Sequence, residues 1–318
     1  LTWETTTQTN VGVDFSVLNS RLSFTLDLYY KYTKDMLMSV PMPSPYPNII
    51  RNEGEMSNMG IEFQISSVNI ARKDFTWTTD FNISANRNRL EKLDLQQVYY
   101  YAKTADVVND YVIRMTPGQP LSKFWGYISD GVDPETGDLI SRDINGDGDI
   151  TPSDKTWIGD ANPKFTFGMT NTFSWKGLSL SILLTGSYGN DIFNASRIET
   201  EGMYNSNNQT TTVLRRWRIP GQITDVPRAT TDAYNVKNST RWVEDGSYLK
   251  VKNITLSYDI TSPKLRRAYI ARIQPYISLQ NFITWTKYSG YDPEVSQWDS
   301  ATQMGVDWGT YPNVRTVV

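Results

Sequence analysis

The chain has 318 residues and contains neither cysteine nor histidine. Zinc sites built on Cys or His, thiol nucleophiles, Ser-His-Asp triads and imidazole acid/base chemistry are therefore excluded within it. Lysine and arginine total 31 against 34 aspartates and glutamates, a net charge of −3, so there is no basic excess to pair with nucleic-acid phosphates. We accordingly expect no nucleic-acid partner.

Alternation of apolar and polar residues with period two is the commonest pattern in the chain. Between Phe75 and Arg89, the odd positions are apolar as far as Ala85, apart from one threonine, and the even positions are polar. Such a pattern predicts strands with one apolar and one polar face. In chain order, the predicted strands cover residues 5–17, 22–31, 57–70, 75–89, 165–175, 178–189, 248–260 and 270–285, with a truncated ninth beginning near Tyr311. Helical turns are expected only near 212–218 and 263–269.

The lengths of the strands and of their connections indicate a membrane barrel. Several strands run past ten residues, the length that a tilted strand needs to cross a bilayer. Short connections alternate with long segments, which cover residues 36–56, 90–163, 190–247 and 286–310. Outer-membrane barrels show this asymmetry between short periplasmic turns and long extracellular loops. The predicted fold class is all-β, a segment of about nine strands from a larger transmembrane antiparallel β-barrel, with its C-terminus in the periplasm.

The ends of the chain and its aromatic residues fit this interpretation. Aromatic side chains lie near the predicted strand ends, where girdles mark membrane interfaces, at Trp3, Trp77, Trp175, Trp285 and Tyr288. The sequence contains no run of 18 or more apolar residues, so it predicts no transmembrane helix. The sequence starts at Leu1 rather than Met and stops within an alternating stretch, and nine strands are an odd number for a single-chain bacterial barrel. We therefore expect residues 1–318 to be the C-terminal part of a longer chain.

One local motif, residues 143–154 within the long segment 90–163, has the register of a calcium-binding loop, D-x-N-x-D-G-x-I-x-x-x-D. Such a loop needs side-chain oxygens at positions 1, 3, 5 and 12, a glycine at position 6 and a backbone carbonyl at position 7. The predicted Ca²⁺ ligands are Asp143, Asn145, Asp147, the Asp149 carbonyl and Asp154. Aspartate at position 12 reaches less far than the usual glutamate. An acidic, glycine-rich turn without metal is the alternative.

Aromatic residues in the long segments are candidates for stacking on sugar faces. The candidate substrate contacts are Trp125, Tyr127, Trp217, Trp242 and Trp298. Packing between loops is the alternative for each of them. Asp292 and Glu294 could be imagined as a carboxylate pair for glycoside hydrolysis, but a loop turn is the better interpretation, so no catalytic residue is assigned.

Two basic clusters have simple interpretations. Arg215, Arg216 and Arg218 surround Trp217, and a solvated or salt-bridged patch is expected there rather than an anion site. Lys264, Arg266 and Arg267 are expected to be solvated residues on the side of the short turns.

The segment Asn52–Glu62 reads N-E-G-E-M-S-N-M-G-I-E, and further motifs follow it along the chain. They are the stretches 32–37, 124–127, 130–131, 158–159, 163–168 and 241–254, together with the calcium-like loop. With these motifs the chain resembles the SusC/RagA family of TonB-linked outer-membrane importers. The resemblance covers essentially the whole chain in family order, and it does not identify the substrate.

The resemblance implies a barrel of about 22 strands, filled by an N-terminal plug and covered by a SusD-like surface lipoprotein that acts as a lid. It implies import of glycans, or of peptides in some members, driven through TonB, which would act on the missing N-terminal part. This chain would supply the last strands of the barrel, in contact with outer-membrane lipid and with its long loops extracellular. The family is not enzymatic. A secreted carbohydrate-binding or glycoside-hydrolysing β domain is the alternative, and a surface adhesin barrel is a weaker one.

Overall fold

The computed structural model describes residues 1–40, 42, 45–95, 97–105, 108–294, 296–298 and 300–318. The first ten strands are β1 (Thr5–Val17), β2 (Leu22–Lys34), β3 (Leu37–Val40), β4 (Ile49–Asn52), β5 (Glu55–Ala71), β6 (Phe75–Lys92), β7 (Tyr99–Lys103), β8 (Tyr111–Met115), β9 (Lys123–Gly126) and β10 (Ser129–Val132). The others are β11 (Leu139–Ser141), β12 (Thr156–Asp160), β13 (Phe165–Trp175), β14 (Leu178–Tyr188), β15 (Asp191–Asn194), β16 (Val243–Asp245), β17 (Tyr248–Tyr258), β18 (Tyr276–Thr286), β19 (Val306–Asp307) and β20 (Thr316–Val317).

Helical structure is sparse. In the described parts of the chain the α-helices are α1 (Ser196–Glu201) and α2 (Pro263–Arg267), and 3-10 turns lie at Pro152–Asp154, Thr211–Arg215, Ala233–Val236 and Thr240–Trp242. Neither α-helix of the described residues has the length and apolar character needed to cross a membrane. The predicted turns near 212–218 and 263–269 are confirmed, and α1 was not predicted.

Nine strands form one antiparallel sheet in the order β1-β2-β5-β6-β13-β14-β17-β18-β20. The order in the sheet is the order along the chain, so neighbouring strands of the sheet are also successive in the sequence once the strands of the long connections are left aside. The predicted all-β class and nine-stranded segment are confirmed. Local chemistry sets the tight connections: Lys176 (φ 46°) and Gly177 (φ 90°) are both left-handed, as a two-residue hairpin turn between β13 and β14 requires. The start of β18 was predicted near residue 270, but the strand begins at Tyr276.

The register places a belt of apolar side chains across the whole sheet. One row crosses eight strands through Phe15, Phe24, Ile65, Phe81, Met169, Leu184, Val251 and Ile283. The adjacent row, one residue along, contains Asp14, Thr25, Gln64, Asn82, Gly168, Thr185, Lys250 and Thr284. Because side chains alternate between the faces of a strand, the sheet has one apolar and one polar face. Belt residues such as Phe15, which is 58% exposed, are open to the surroundings.

The buried core lies in the long connections rather than against the sheet. We call the connections 35–54, 93–164, 189–247 and 287–315 the loop cluster; by strand parity they emerge from the same end of the sheet. Its largest core unites side chains from three of them, including Ile113, Phe124, Phe193, Ile198, Val236, Trp242 and Val306. Ile113 and Phe124 belong to the sheet β12-β9-β8-β7, and Phe193 and Val306 to the sheet β16-β15-β19. The other three lie in α1 and in two of the 3-10 turns. A second core, which includes Val40, Leu90 and Tyr99, joins the first connection to the second.

Candidate functional site

Four asparagines line a cavity where the polar face meets the loop cluster. Asn86 and Asn88 of β6 and Asn58 of β5 lie on the polar face because of their even spacing, and Asn162 approaches just before β13. The cavity has a volume of about 350 Å³. Asn88 Nδ2 donates to Asn162 Oδ1 at 2.7 Å, and Tyr29 donates its hydroxyl proton to Asn86 Oδ1 at 2.9 Å. These bonds hold the carboxamides in place while leaving a surface that both donates and accepts hydrogen bonds.

The other lining residues that the structure describes are uncharged. Ser84 and Thr166 add hydroxyl groups, and the apolar part consists of Met56, Leu121, Pro163, Phe165, Ala301 and Met304. Carboxamides and hydroxyls over an apolar floor can bind neutral ligands that have both hydrogen-bonding groups and apolar faces. The neighbouring cavity, which shares Ser84, is acidic because Asp27 and Glu62 lie directly opposite each other on β2 and β5.

Two of the five predicted substrate contacts are buried in the loop cluster. Trp242 has no exposed surface, and its Nε1 donates to the Lys237 carbonyl at 3.1 Å. Tyr127 is 6% exposed, and burial raises the pKa of its hydroxyl. In this arrangement neither ring offers a face for stacking, and both pack inside the loops.

The other three predicted contacts are partly exposed. The Trp125 and Trp157 ring centroids lie 4.9 Å apart at an interplanar angle of 72°, and the Arg114 guanidinium carbon lies 4.1 Å from the centre of the Trp125 ring. Trp217 Nε1 donates to the Pro134 carbonyl at 2.8 Å. Its ring packs on Gly137, and a Cβ at this position would lie 2.4 Å from the ring carbons of Trp217. Trp298 packs against the larger loop core.

In the calcium-type loop, side-chain oxygens bind the loop's own backbone. Asp143 accepts the Gly146 N–H at 2.6 Å, Asn145 accepts the Asp147 N–H at 2.9 Å, and Asp147 accepts the Asp149 N–H at 2.9 Å. In the part of the chain that the structure describes, no group of three or more acidic side chains is arranged to hold a metal ion. Calcium binding by this loop stays a prediction.

Asp154, the last predicted ligand, is fully buried beneath that loop. Its carboxylate accepts the Thr151 N–H at 2.8 Å and the Ile144 N–H at 3.0 Å, and these bonds hold the pKa of Asp154 below its ordinary value. To ligate a cation, this carboxylate would have to turn from the backbone groups that it now binds.

A buried charge network, which sequence reasoning missed, ties the last long connection to the sheet. Lys250 of β17 has no exposed side-chain surface, and its Nζ lies 3.0 Å from Asp292 Oδ1 and 2.5 Å from Glu294 Oε2. Lys252 Nζ lies 3.0 Å from the same Glu294 oxygen, and the Asn313 N–H donates to Asp292 Oδ2 at 3.2 Å. The spacing of the two lysines on a strand put them on one face, but their partners lie more than forty residues away.

This network argues against glycoside hydrolysis by Asp292 and Glu294. Burial raises the pKa of Asp292, but the Glu294 N–H and the Lys250 ammonium lower it by more. The pKa of Asp292 therefore lies below its ordinary value. Burial likewise raises the pKa of Glu294, and the two lysines bring it below the ordinary value. A general acid for that reaction needs a raised pKa, so the pair is suited to structure rather than to proton donation.

Comparison with known proteins identifies the family to which this chain belongs. The sequence profile of the family described as "TonB dependent receptor-like, beta-barrel" matches residues 1–273. The chain belongs to this family. Barrels of TonB-dependent receptors are outer-membrane proteins, and the family is not known as one of enzymes.

Similar TonB-dependent receptors confirm the SusC/RagA resemblance. TonB-dependent receptor P3 of Formosa agariphila is 32% identical over 99% of this chain and 34% of its own length. TonB-dependent receptor SusC of Bacteroides thetaiotaomicron is 29% identical over 99% of this chain and 31% of its own length. The structure of the RagAB peptide transporter superposes with a TM-score of 0.84 at 27% identity, covering 100% of this chain and 35% of that one. The chain thus spans about a third of the length of the relatives it matches.

Proposed function

We propose that this chain forms the C-terminal wall of an outer-membrane, TonB-dependent importer whose substrate is an oligosaccharide. The observation that carries the proposal is the pair of adjacent rows, one apolar and one polar, that cross eight strands of the sheet. Apolar side chains would face lipid, and the polar face would line the route of the substrate. The loop cluster would be extracellular and the short turns and C-terminus periplasmic.

The proposal includes two protein partners. A SusD-like surface lipoprotein would cover the loop side as a lid, and TonB would deliver energy through a part of the protein outside this chain. These partners follow from the likeness to SusC and to RagAB.

The lining of the asparagine cavity supports a glycan. Carboxamides and hydroxyls match the mixed donors and acceptors of a sugar, and the apolar floor matches the C–H face of its ring. The partly exposed rings of Trp125, Trp217 and Trp298 would add stacking contacts on the loop side. Among the residues that the structure describes, no charged group lines this cavity, which favours a neutral ligand.

A peptide is the second candidate substrate. RagAB, a structural relative, is named a peptide transporter, and the acidic cavity with Asp27 and Glu62 would attract basic side chains or an amino terminus. A secreted sugar-binding or sugar-cleaving domain is disfavoured because the apolar belt would face water and the Asp292–Glu294 pair has lowered pKa values.

Uptake by the full-length protein and its lipoprotein partner in proteoliposomes tests the proposal, with labelled oligosaccharides and peptides of matched size. In the variant Asn58→Ala/Asn86→Ala we expect glycan uptake to fall about tenfold, the loss of two hydrogen bonds of about 0.5–1.5 kcal/mol each. Thr9→Ala, on the apolar face of β1, should leave uptake unchanged. Uptake of peptides alone would overturn the glycan assignment, and uptake of neither class would overturn import.

We propose further that residues 143–154 bind one calcium ion that stiffens the long connection 93–164. The register of the loop and the clustering of Asp143, Asn145 and Asp147 on one exposed turn support this. Calorimetric titration of the full-length protein with Ca²⁺ should show binding that Asp147→Ala weakens. Asp149→Ala is the matched control, because position 7 of such a loop supplies only its backbone carbonyl. No binding by the parent protein, or equal loss in both variants, would contradict the site.

A further inference from the structure

Positive charge is concentrated in the four connections opposite the loop cluster. These connections cover residues 18–21, 72–74, 176–177 and 259–275. They contain eight lysines and arginines but two aspartates, a net charge of +6, whereas the rest of the chain carries 23 basic and 32 acidic residues, a net charge of −9. The two ends of the sheet are therefore of opposite sign.

Most of this charge is not neutralised within the protein. Arg272 pairs with Asp259 at 3.1 Å, and the Arg21 guanidinium donates to the Val68 and Asn69 carbonyls. The other six basic residues are exposed and form no ion pair among the residues that the structure describes. We call these six the basic collar: Arg72, Lys73, Lys176, Lys264, Arg266 and Arg267.

An aromatic band lies beside the basic collar at the same ends of the strands. Trp175 is 55% exposed, Tyr258 47%, Tyr276 61% and Tyr269 99%. Trp and Tyr favour the height of the lipid headgroups, because their rings have one apolar and one polar part. Cationic side chains at that height lie within reach of lipid phosphates.

A groove at this edge combines both features. Its walls are Ile70, Phe75 and Trp175, with Arg72 as the remaining lining residue. Lys176 Nζ lies 5.7 Å from the centre of the Trp175 ring, so a second cation stands beside the groove. Three apolar walls next to two cations match a ligand that has an acyl chain joined to a phosphate.

We propose that the basic collar binds the phosphates of anionic phospholipids in the membrane leaflet next to the short turns, with one lipid seated in the groove. Its acyl chain would lie between Phe75 and Trp175, and its phosphate on Arg72 and Lys176. A phospholipid is favoured over an acidic protein because the apolar belt and the aromatic band continue directly into the groove. The inference rests on the proposed function only in requiring that the sheet lies in a bilayer.

The test measures lipid binding by the full-length protein in nanodiscs of phosphatidylcholine with and without phosphatidylglycerol, followed by native mass spectrometry of the lipids retained. We expect the parent protein to retain phosphatidylglycerol preferentially, and Arg72→Gln/Lys176→Gln to weaken that preference about tenfold or more, at about 1 kcal/mol for each cation. The matched control, Arg87→Gln/Lys287→Gln, removes two charges near the loop end and should not change it. Trp175→Ala should weaken retention of the lipid but not of glycerol phosphate, which lacks the acyl chain.

Three results would overturn the proposal: no preference for phosphatidylglycerol in the parent protein, equal loss in the control pair, or binding of glycerol phosphate as tight as that of the lipid. Heat-modifiable electrophoretic mobility, which reports barrel insertion, is measured on the same samples. Insertion without lipid preference contradicts the basic collar alone. Failure to insert into either bilayer contradicts the proposed membrane barrel instead.

Discussion

The sheet and the loop cluster place their apolar side chains differently. In the loop cluster, Phe124, Phe193 and Trp242 pack against one another with no exposed surface, as in a water-soluble domain. In the sheet, the belt through Phe81 and Met169 keeps its apolar side chains together on one open face. One chain therefore carries a buried core at one end and an open apolar belt along its strands; the core suits water, and the belt would suit lipid.

The two regions should therefore owe their stability to different interactions. Packing in the loop cluster should respond to cavities, as globular cores do. The sheet should respond to charge placed on its apolar face and tolerate the same charge on its polar face. The network around Lys250 is one link between the two regions, because it joins a strand of the sheet to the last long connection.

The largest expected effect is in the loop core. Trp242→Ala should cost about 3–5 kcal/mol, the usual range for removing a buried tryptophan. Hydrogen exchange should show faster exchange throughout the loop cluster while the amides of β13 and β14 stay protected. The control is Trp3→Ala, since Trp3 is 90% exposed. If the sheet lost protection together with the loops, the two regions would not be energetically separate.

Breaking the link should be about as costly locally. Lys250→Met leaves the carboxylates of Asp292 and Glu294 without their shared partner, a change that costs about 3–5 kcal/mol for a buried pair. Limited proteolysis should then cut within residues 287–315, which the parent protein protects. Lys252→Met is the matched control, because the Lys252 side chain is 36% exposed and its pairing is screened by water.

The same network should respond to acid. Because the pKa values of Asp292 and Glu294 are lowered in the folded state, their contribution is complete above the ordinary carboxyl pKa of about 4 and is lost as the pH falls through the lowered values. Proteolytic release of residues 287–315 should therefore begin below about pH 4, and the acid step should be absent in Lys250→Met. Release already complete at neutral pH in the parent protein would show that the network does not hold this connection.

A charge in the belt distinguishes the two faces of the sheet. Met169→Arg, in the middle of β13, should destabilise the inserted barrel by about 2–4 kcal/mol, whereas Thr170→Arg on the polar face should be tolerated. Heat-modifiable mobility after folding into lipid measures both. Equal destabilisation by the two variants would mean that neither face contacts lipid.

The smallest expected effect concerns the arginine patch of the loop cluster. Arg215 pairs with Asp225 at 2.9 Å, but the two side chains are 61% and 69% exposed. Arg215→Gln should change stability by less than about 1 kcal/mol, because water screens such a pair. A larger change in thermal unfolding would show that this patch belongs to the packed part of the loops.

The sheet could be predicted because its information is local. Period two in Phe165–Trp175, followed by the turn residues Lys176 and Gly177, determined both a strand and its partner, and β1 and β13 have the predicted ends. The start of β18 was predicted too early because Ala271 and Ile273 lie at the same odd positions as Ile277 and Leu279. Instead, Ile273 pairs singly with Ile260 before Pro275, and regular pairing of β18 with β17 begins at Tyr276.

The loop cluster could not be predicted in the same way, because its contacts are long-range. In the sequence, the aromatic side chains of Trp242 and Tyr127 fit a ligand-stacking role and a packed core equally well. Only the structure shows that both side chains are buried, as a packed core requires. The partners of Lys250 come from a turn that reads as ordinary surface. The even spacing of Asn86 and Asn88 places both on the polar face and could be seen in the sequence. That Asn162 would line the same cavity could not.

The proposed barrel requires that the sheet has one face in lipid and the other in an aqueous lumen. The chain has no cysteine, so single cysteines at residues 166–173 of β13 can carry a spin label, and the collision rates with oxygen and with a water-soluble nickel complex can be measured in bilayers. We predict alternation with period two, with oxygen favoured at 167, 169 and 173 and nickel at 166, 168 and 170. Uniform access of the nickel complex to all positions would contradict the membrane barrel.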